Sequence, residues 1–160
     1  MPSITNCLWF DGEHGKDAAE FYTSVFPNSE VTEVTYYGSA GPLPEGTVMT
    51  VSFVLDGRPF MVLNGGQAGF KFDESISFVV DCADQREVDH YWEALGSGGQ
   101  HGPCGWLKDR YGVSWQITPT RLNELVADPD RQKAQRAMAA MLQMGKIDLA
   151  EIERAAATDS

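Results

Sequence analysis

The chain has 160 residues, with 12 Lys and Arg against 23 Asp and Glu, a net charge of −11. That length suits one domain or two small halves sharing a core, and 42% hydrophobic with 22% charged residues is ordinary for a globular protein. The acidic excess is spread along the chain, whereas nucleic acid or an anionic membrane requires clustered Lys and Arg, so neither is an expected partner.

The first element is the run ITNCLWF, which alternates as a strand does. Ile4, Asn6, Leu8 and Phe10 point one way; Thr5, Cys7 and Trp9 point the other. DGEHG breaks it. KDAAEFYTSVF then sets Ala18, Phe21, Tyr22 and Val25 at helical spacing, and Pro27-Asn28 ends the helix. EVTEVTYYG is β-branched and alternating, hence a strand. SAGPLPEG is a loop with two prolines. TVMTVSFVLDGRPFMVLNGG is the clearest hairpin, with Asp56-Gly57 as its turn. QAGFKFDES is a loop and ISFVVDC a strand. ADQREVDHYWEALGSGG is a helix with a stripe of Val88, Tyr91, Trp92 and Leu95, stopped at Gly96. CGWLKDRYGVSWQITPT is a second hairpin, turning at Asp109-Arg110-Tyr111-Gly112.

Strand, helix and three strands therefore occur twice, although SGGQHGPCG leaves room for only a very short strand in the second half. A strand-end Asp (Asp11, Asp81) is followed about one helix length later by an aromatic pair (Phe21-Tyr22, Tyr91-Trp92). A repeat of about 70 residues organises the chain. After Pro119 the pattern turns helical. DPDRQKAQRAMAAMLQMG has Asp128 as expected N-cap, Pro129 at the first helical position and Gly145 as the stop, with an apolar stripe of Ala134, Met138, Met141 and Leu142. That stripe is either ordinary packing or a partner surface. KIDLAEIERAAA opens on Asp148 with Glu151 three residues on, and Ile147 and Ile152 at hydrophobic-staple positions.

The segments LWFDGEHGKDAAEFYTSVFPNS, FMVLNGG, ISFVVDCADQREVDHYWEAL and CGWLKDRYGVSWQITP together resemble the PhnB-like branch of the vicinal-oxygen-chelate, or glyoxalase-like, superfamily. That branch includes proteins labelled 3-demethylubiquinone-9 3-methyltransferase. The resemblance covers about residues 3–145. It implies an α+β fold of two βαβββ modules that form cupped mixed sheets, with C-terminal helices. The expected layout is residues 1–119 as the glyoxalase-like domain, in halves of about 1–66 and 75–119, and residues 120–160 as a helical extension. It also implies a ligand site inside the cups, completed by pairing of modules within a chain or across a dimer.

In related metalloenzymes the ligands come from the first and last strands of each half. Carried over residue by residue, those positions fall at or near Cys7, Asn64, Ser75 or Ser77, and Gln116. A first-row divalent ion wants imidazole, carboxylate or thiolate, and neutral amides are weak ligands. No tight metal is therefore expected there. The histidines lie elsewhere: His14 in a loop, His90 on the second helix and His101 in a Gly-rich turn. No cofactor is expected either: an S-adenosylmethionine enzyme of the usual kind needs a parallel α/β sheet with a Gly-rich turn, and this chain offers hairpins.

The candidate pocket residues are Cys7, Trp9, Phe53, Asn64, Phe72, Ser77, Cys104, Trp106 and Gln116. Aromatic walls with a few polar groups suit a small organic ligand. The competing reading makes the aromatics core, and Cys7 a small buried apolar side chain. The resemblance implies that Ser114, Gln116 and Thr118 line the cup while Val113, Trp115 and Ile117 pack beneath the helices. Two functional classes follow. One is a metal-independent enzyme, with Asp73, Glu74 or Asp109 as acid-base candidates. The other is a non-catalytic module that binds or sequesters a small molecule.

No segment reaches the roughly 20 apolar residues of a membrane span, and MPSITNCLWF has no basic start. Three cysteines without a C-x-x-C pair make a disulfide framework unexpected, which points to a reducing cytoplasm. Open sheet edges and a bare concave face are liabilities for a lone module, so a homodimer is expected. Sedimentation equilibrium at micromolar protein tests it: a single species near 17.6 kDa rules the dimer out.

Overall fold

In the computed structural model, which describes residues 1–158, the alternation of the first run makes Asn6–Phe10 a strand, β1. The strand starts later than its sequence pattern. Its partner carries Pro59 next to the last paired position, and proline has no N–H to give; Ile4 is left exposed. Gly15–Val25 forms helix α1. Glu30–Tyr36 (β2), Val48–Leu55 (β3) and Arg58–Asn64 (β4) follow. Asp56 and Gly57 both adopt positive φ, 47° and 78°, the geometry of a type I′ hairpin turn between β3 and β4.

These strands form a mixed sheet in the order β1-β4-β3-β2. β1 runs parallel to β4, from Asn6 opposite Phe60 to Phe10 opposite Asn64, while the other pairings are antiparallel. Helix α1 covers one face. Ala18, Ala19 and Tyr22 are buried there together with Val51, Phe53, Phe60 and Val62. The Phe53 ring lies 6.3 Å from Tyr22 and 5.5 Å from Phe60. Gly15 is required where the helix starts: a Cβ there would fall 2.2 Å from Val62 Cγ1.

The second unit repeats the plan. Ser77–Cys82 (β5), Gln85–Gly96 (α2), Gln100–His101 (β6), Trp106–Lys108 (β7) and Ser114–Pro119 (β8) give a sheet in the order β5-β8-β7-β6. Again the first strand is parallel to the last, with Ser77 opposite Ser114 and Cys82 opposite Pro119. The unit's second strand, β6, is indeed minimal, at two residues. Asp84 caps α2 by accepting from Glu87 N–H, and Glu87 accepts from Ala83 N–H. Asp109, 3% exposed, holds the β7–β8 turn: its carboxylate accepts from Tyr111 N–H at 2.8 Å, Val113 N–H at 3.1 Å and the Trp115 indole at 2.9 Å.

The chain divides into two units, Met1–Lys71 and Phe72–Ser160. The C-terminal helices therefore belong with the second half. They are Thr120–Val126 (α3), Arg131–Met141 (α4) and Leu149–Ala157 (α5), around a core of Leu122, Leu125, Ala137, Ile147, Ile152 and Ala156. Gln85 of α2 clasps the α4–α5 connection: its Nε2 donates to Ile147 O at 2.9 Å and its Oε1 accepts from Leu149 N–H at 2.8 Å. Cys104 and Gly105 N–H donate to Met144 O and Gly145 O, each at 2.8 Å, tying the β6–β7 turn to the same connection.

Two local expectations shift. The N-cap of α4 is Asp130, which accepts from Gln132 and Lys133 N–H; Asp128 instead accepts from Asp130 N–H and pairs with Lys133. Leu142, on the stripe read as either packing or a partner surface, is exposed just past the end of the helix, while Ala137 is buried. The Asp148 cap and the Ile147–Ile152 staple form as expected.

Removing the Asp109 carboxylate takes away the acceptor shared by three donors at the turn. Asp109→Ala is expected to cost about 3 kcal/mol, with Asp109→Asn losing less because one oxygen remains. Urea unfolding measures both; a loss within error for the alanine variant would show that the carboxylate does not hold the turn.

Candidate functional site

Strand pairing decides which side chains share a face. In the second unit the register sets Ser77, Val79 and Asp81 beside Ser114, Gln116 and Thr118. Trp106 and Lys108 on β7 lie opposite Gln116 and Ser114 and join that face. The other face meets α2: Leu107, Trp115 and Ile117 are buried on it, and Phe78 lies 5.3 Å from Trp115. The face away from the helix stays open, and Val79 on it is 53% exposed.

A cavity of about 380 Å3 opens on this side. Trp106 and Pro103 supply apolar wall, and Gln100, Lys108, Glu74 and Ser114 supply polar atoms. Lys108 Nζ stands 2.5 Å from Glu74 Oε1, with both side chains reaching solvent. That hydrogen bond holds the Glu74 carboxyl below the usual carboxylate range, so it is ionised at neutral pH. Asp73 is lowered too, chiefly by the Ser75 hydroxyl and then by Ser75 N–H. Gln116 Nε2 donates to Ser77 Oγ at 2.9 Å. Ser114 Oγ is different. Its residue is 1% exposed, and among the described residues it is the one buried side-chain polar atom without a hydrogen-bond partner.

The first unit has its own open face. The register puts Cys7 and Trp9 there beside Met61 and Leu63, with Thr50 and Ser52 next along. Trp9 is 41% exposed and meets Phe70 edge-on at 5.5 Å. Partial desolvation pushes the Cys7 thiol above its ordinary value.

Ser77, Trp106 and Gln116 are thus brought together on one face, and Cys7 and Trp9 on another. Phe53 and Asn64 are corrected: both point to the helix side. Phe53 stacks with Tyr22 and Phe60 in the core. Asn64, 1% exposed, accepts from Gly15 N–H at 2.9 Å and donates to Val48 O at 3.1 Å, while its backbone carbonyl accepts from the Tyr37 hydroxyl at 2.6 Å. It anchors α1. Position 64 is in phase with Phe60 and Val62, and that alternation was the available signal. Cys104 sits in the β6–β7 turn at φ 57°, half-buried. Phe72 is half-buried beside Gly112. Asp109 is spent on its turn, and His101 is stacked on Trp92 at 4.4 Å. Lys108 was missed, although it shares the phase of Trp106 on a three-residue strand.

The positions matching metal ligands do not suit a divalent ion. Asn64 is committed to backbone partners, Ser77 and Gln116 bond each other, and the raised Cys7 thiol resists ionisation. Among the described residues no three His, Cys, Asp or Glu side chains converge.

Two βαβββ units, each closed by parallel pairing of first and last strands, define the glyoxalase-like fold of the vicinal-oxygen-chelate superfamily. Within it, the chain belongs to the family described as 3-demethylubiquinone-9 3-methyltransferase, whose model matches residues 2–118. A PhnB protein from Bacillus cereus carrying the same description is 35% identical, over 74% of this chain and 99% of that one, with a TM-score of 0.65. A protein from Pseudomonas aeruginosa at 18% identity (74% and 98% covered, TM-score 0.60) shares the fold. So does the fosfomycin resistance protein FosX from Listeria monocytogenes at 16% identity (77% and 94% covered, TM-score 0.52). No curated protein matches the chain.

Burial beside Glu87, Asp81 and Asp84 pushes the Cys82 thiol up to about 12. A raised pKa means less thiolate at a given pH, and thiolate is the species that alkylates. Native Cys82 is expected to resist iodoacetamide at pH 8 until the chain is unfolded. Cys7 is expected to label with a pH midpoint above that of an unstructured cysteine peptide. Mass spectrometry across pH checks both; prompt labelling of native Cys82 at pH 8 would contradict the burial effect.

Proposed function

We propose that the chain binds a small organic molecule in the concave face of its second unit, without a metal and without a cofactor. The observation that carries this reading is the unpartnered Ser114 hydroxyl beside a 380 Å3 cavity walled by Trp106. A buried hydroxyl without a partner carries a desolvation cost that a bound polar group relieves, and an apolar wall with few polar atoms is the usual make-up of a small-ligand site. Ser77 and Gln116 extend the polar floor, while Cys7 and Trp9 offer a second surface of the same kind in the first unit.

Of the two classes open to such a site, a binding or sequestering module is better supported than an acid-base enzyme. General acid-base work at neutral pH calls for a carboxyl whose pKa is raised toward neutrality. Here Glu74 and Asp73 are lowered and solvent-exposed, and Asp109 is saturated with donors. The methyltransferase description belongs to the family and the Bacillus cereus relative; the two mixed sheets here differ from the parallel α/β sheet that an S-adenosylmethionine enzyme of the usual kind uses. We infer further that the protein works as a cytoplasmic homodimer, on its free cysteines and open sheet faces. Among the described residues no helix is long and apolar enough to cross a membrane.

Ligand-observed NMR with benzyl alcohol, a small neutral oxygen-bearing aromatic, tests the site. Binding in the millimolar range is expected, weakened about tenfold by Trp106→Ala for loss of one aromatic contact. Binding indifferent to Trp106, or no binding of benzyl alcohol or of any related small aromatic at millimolar concentration, would refute it.

A further inference from the structure

We propose that the second unit's cavity selects small aromatic carboxylates, the ligand's carboxylate replacing Glu74 on Lys108 and taking a hydrogen bond from Ser114. The inference rests on the small-molecule reading above and adds the charge class of the ligand.

The argument begins with register. Lys108 and Ser114 are directly opposite on antiparallel strands β7 and β8, so their Cβ atoms lie roughly 5 Å apart on one face. A cation and a buried, unpartnered hydroxyl therefore stand side by side at the cavity. Both can donate to one carboxylate, and neither an alcohol nor an amide ligand would use the ammonium as well. The present partner of Lys108 is exchangeable. Glu74 comes from the loop before β5, and its side chain is more exposed than that of Lys108, 59% against 35%. Exposed ion pairs of this kind contribute little to stability, so a ligand that brings its own carboxylate and buries it loses little by displacing Glu74.

The remaining carboxylate near the rim, Asp73, is turned back on Ser75, whose N–H and hydroxyl it accepts. His101 also lines the cavity, with its ring stacked on Trp92 and its Nε2 in hydrogen-bond contact with Trp92 O. The ligand's body is set by the walls. Trp106 and Pro103 present flat apolar surface, and a volume near 380 Å3 admits one ring with a short substituent. In a chain of net charge −11, this local cation is what lets an anion enter.

Titration calorimetry at low salt with benzoate and its neutral isostere benzamide tests the proposal. Benzoate is expected to bind about tenfold tighter than benzamide, as a charge-assisted pair predicts. Glu74→Gln removes the competing carboxylate, and should tighten benzoate several-fold and widen its advantage over benzamide. Lys108→Met should erase the preference, and Ser114→Ala should weaken both. Glu74 is exposed, so its variant is not expected to disturb folding. Equal affinity for the two probes, an unchanged benzoate affinity in Glu74→Gln, or no binding of either at millimolar concentration overturns the proposal. If benzyl alcohol or benzamide binds while benzoate does not, the carboxylate class falls and the binding reading stands. If none binds, both fall.

Discussion

Everything in each unit follows from one pairing: the first strand is hydrogen-bonded parallel to the last. A parallel pair cannot be joined by a tight turn, so the chain must cross over, and here the crossover carries the helix. Because the last strand returns to lie between the first strand and the hairpin that precedes it, the sheet has a continuous surface on both sides. The helix covers one side, with Ala18, Ala19 and Tyr22 in the first unit and Val88 and Leu95 in the second. The other side receives no helix from its own module. An open concave face is thus a by-product of the topology, and function can be fitted to it by changing side chains of one phase while the core keeps the other.

That separation explains what was legible. The repeat and the hairpins rest on two-residue alternation and on turn residues such as Asp56-Gly57, which act locally, whereas the mixed sheet came with the family resemblance. Faces were legible wherever alternation was followed strictly, as on β8, where Ser114, Gln116 and Thr118 share the open side. They were misjudged where a polar residue or a ring suggested chemistry. Asn64 is polar yet faces the helix, because its amide satisfies Gly15 N–H and Val48 O at a helix start that no capping side chain serves. Phe53 is an ordinary core ring. The α4 cap falls on Asp130 rather than Asp128: both are good caps in isolation, but the Asp128 carboxylate takes Asp130 N–H while that of Asp130 takes the first helical N–H groups.

The site drew on a weaker signal. Lys108 sits in a strand three residues long, and its importance depends on Ser114 lying opposite and on Glu74 arriving from the preceding loop. Neither relation has a fixed sequence separation, so no local pattern announces them. The unpartnered hydroxyl is harder still: serine is common, and only burial together with the absence of a neighbouring acceptor or donor marks this one.

The clasp of the β6–β7 turn by Met144 and Gly145, with Gln85 bridging Ile147 and Leu149, bears on how the molecule is made. Synthesis delivers residues from the N-terminus, and units fold as they emerge. The first unit has all its strands once Asn64 is out. The second has its last strand, β8, by Pro119, but the turn that forms the lip of its cavity gains its anchors only when the stretch through Met144 and Gly145 has followed. The nascent chain therefore holds one finished sheet and one unfinished cup for the time that stretch takes to translate. A stretch lying beyond the 2–118 shared with the family sets the moment at which the second cup is completed.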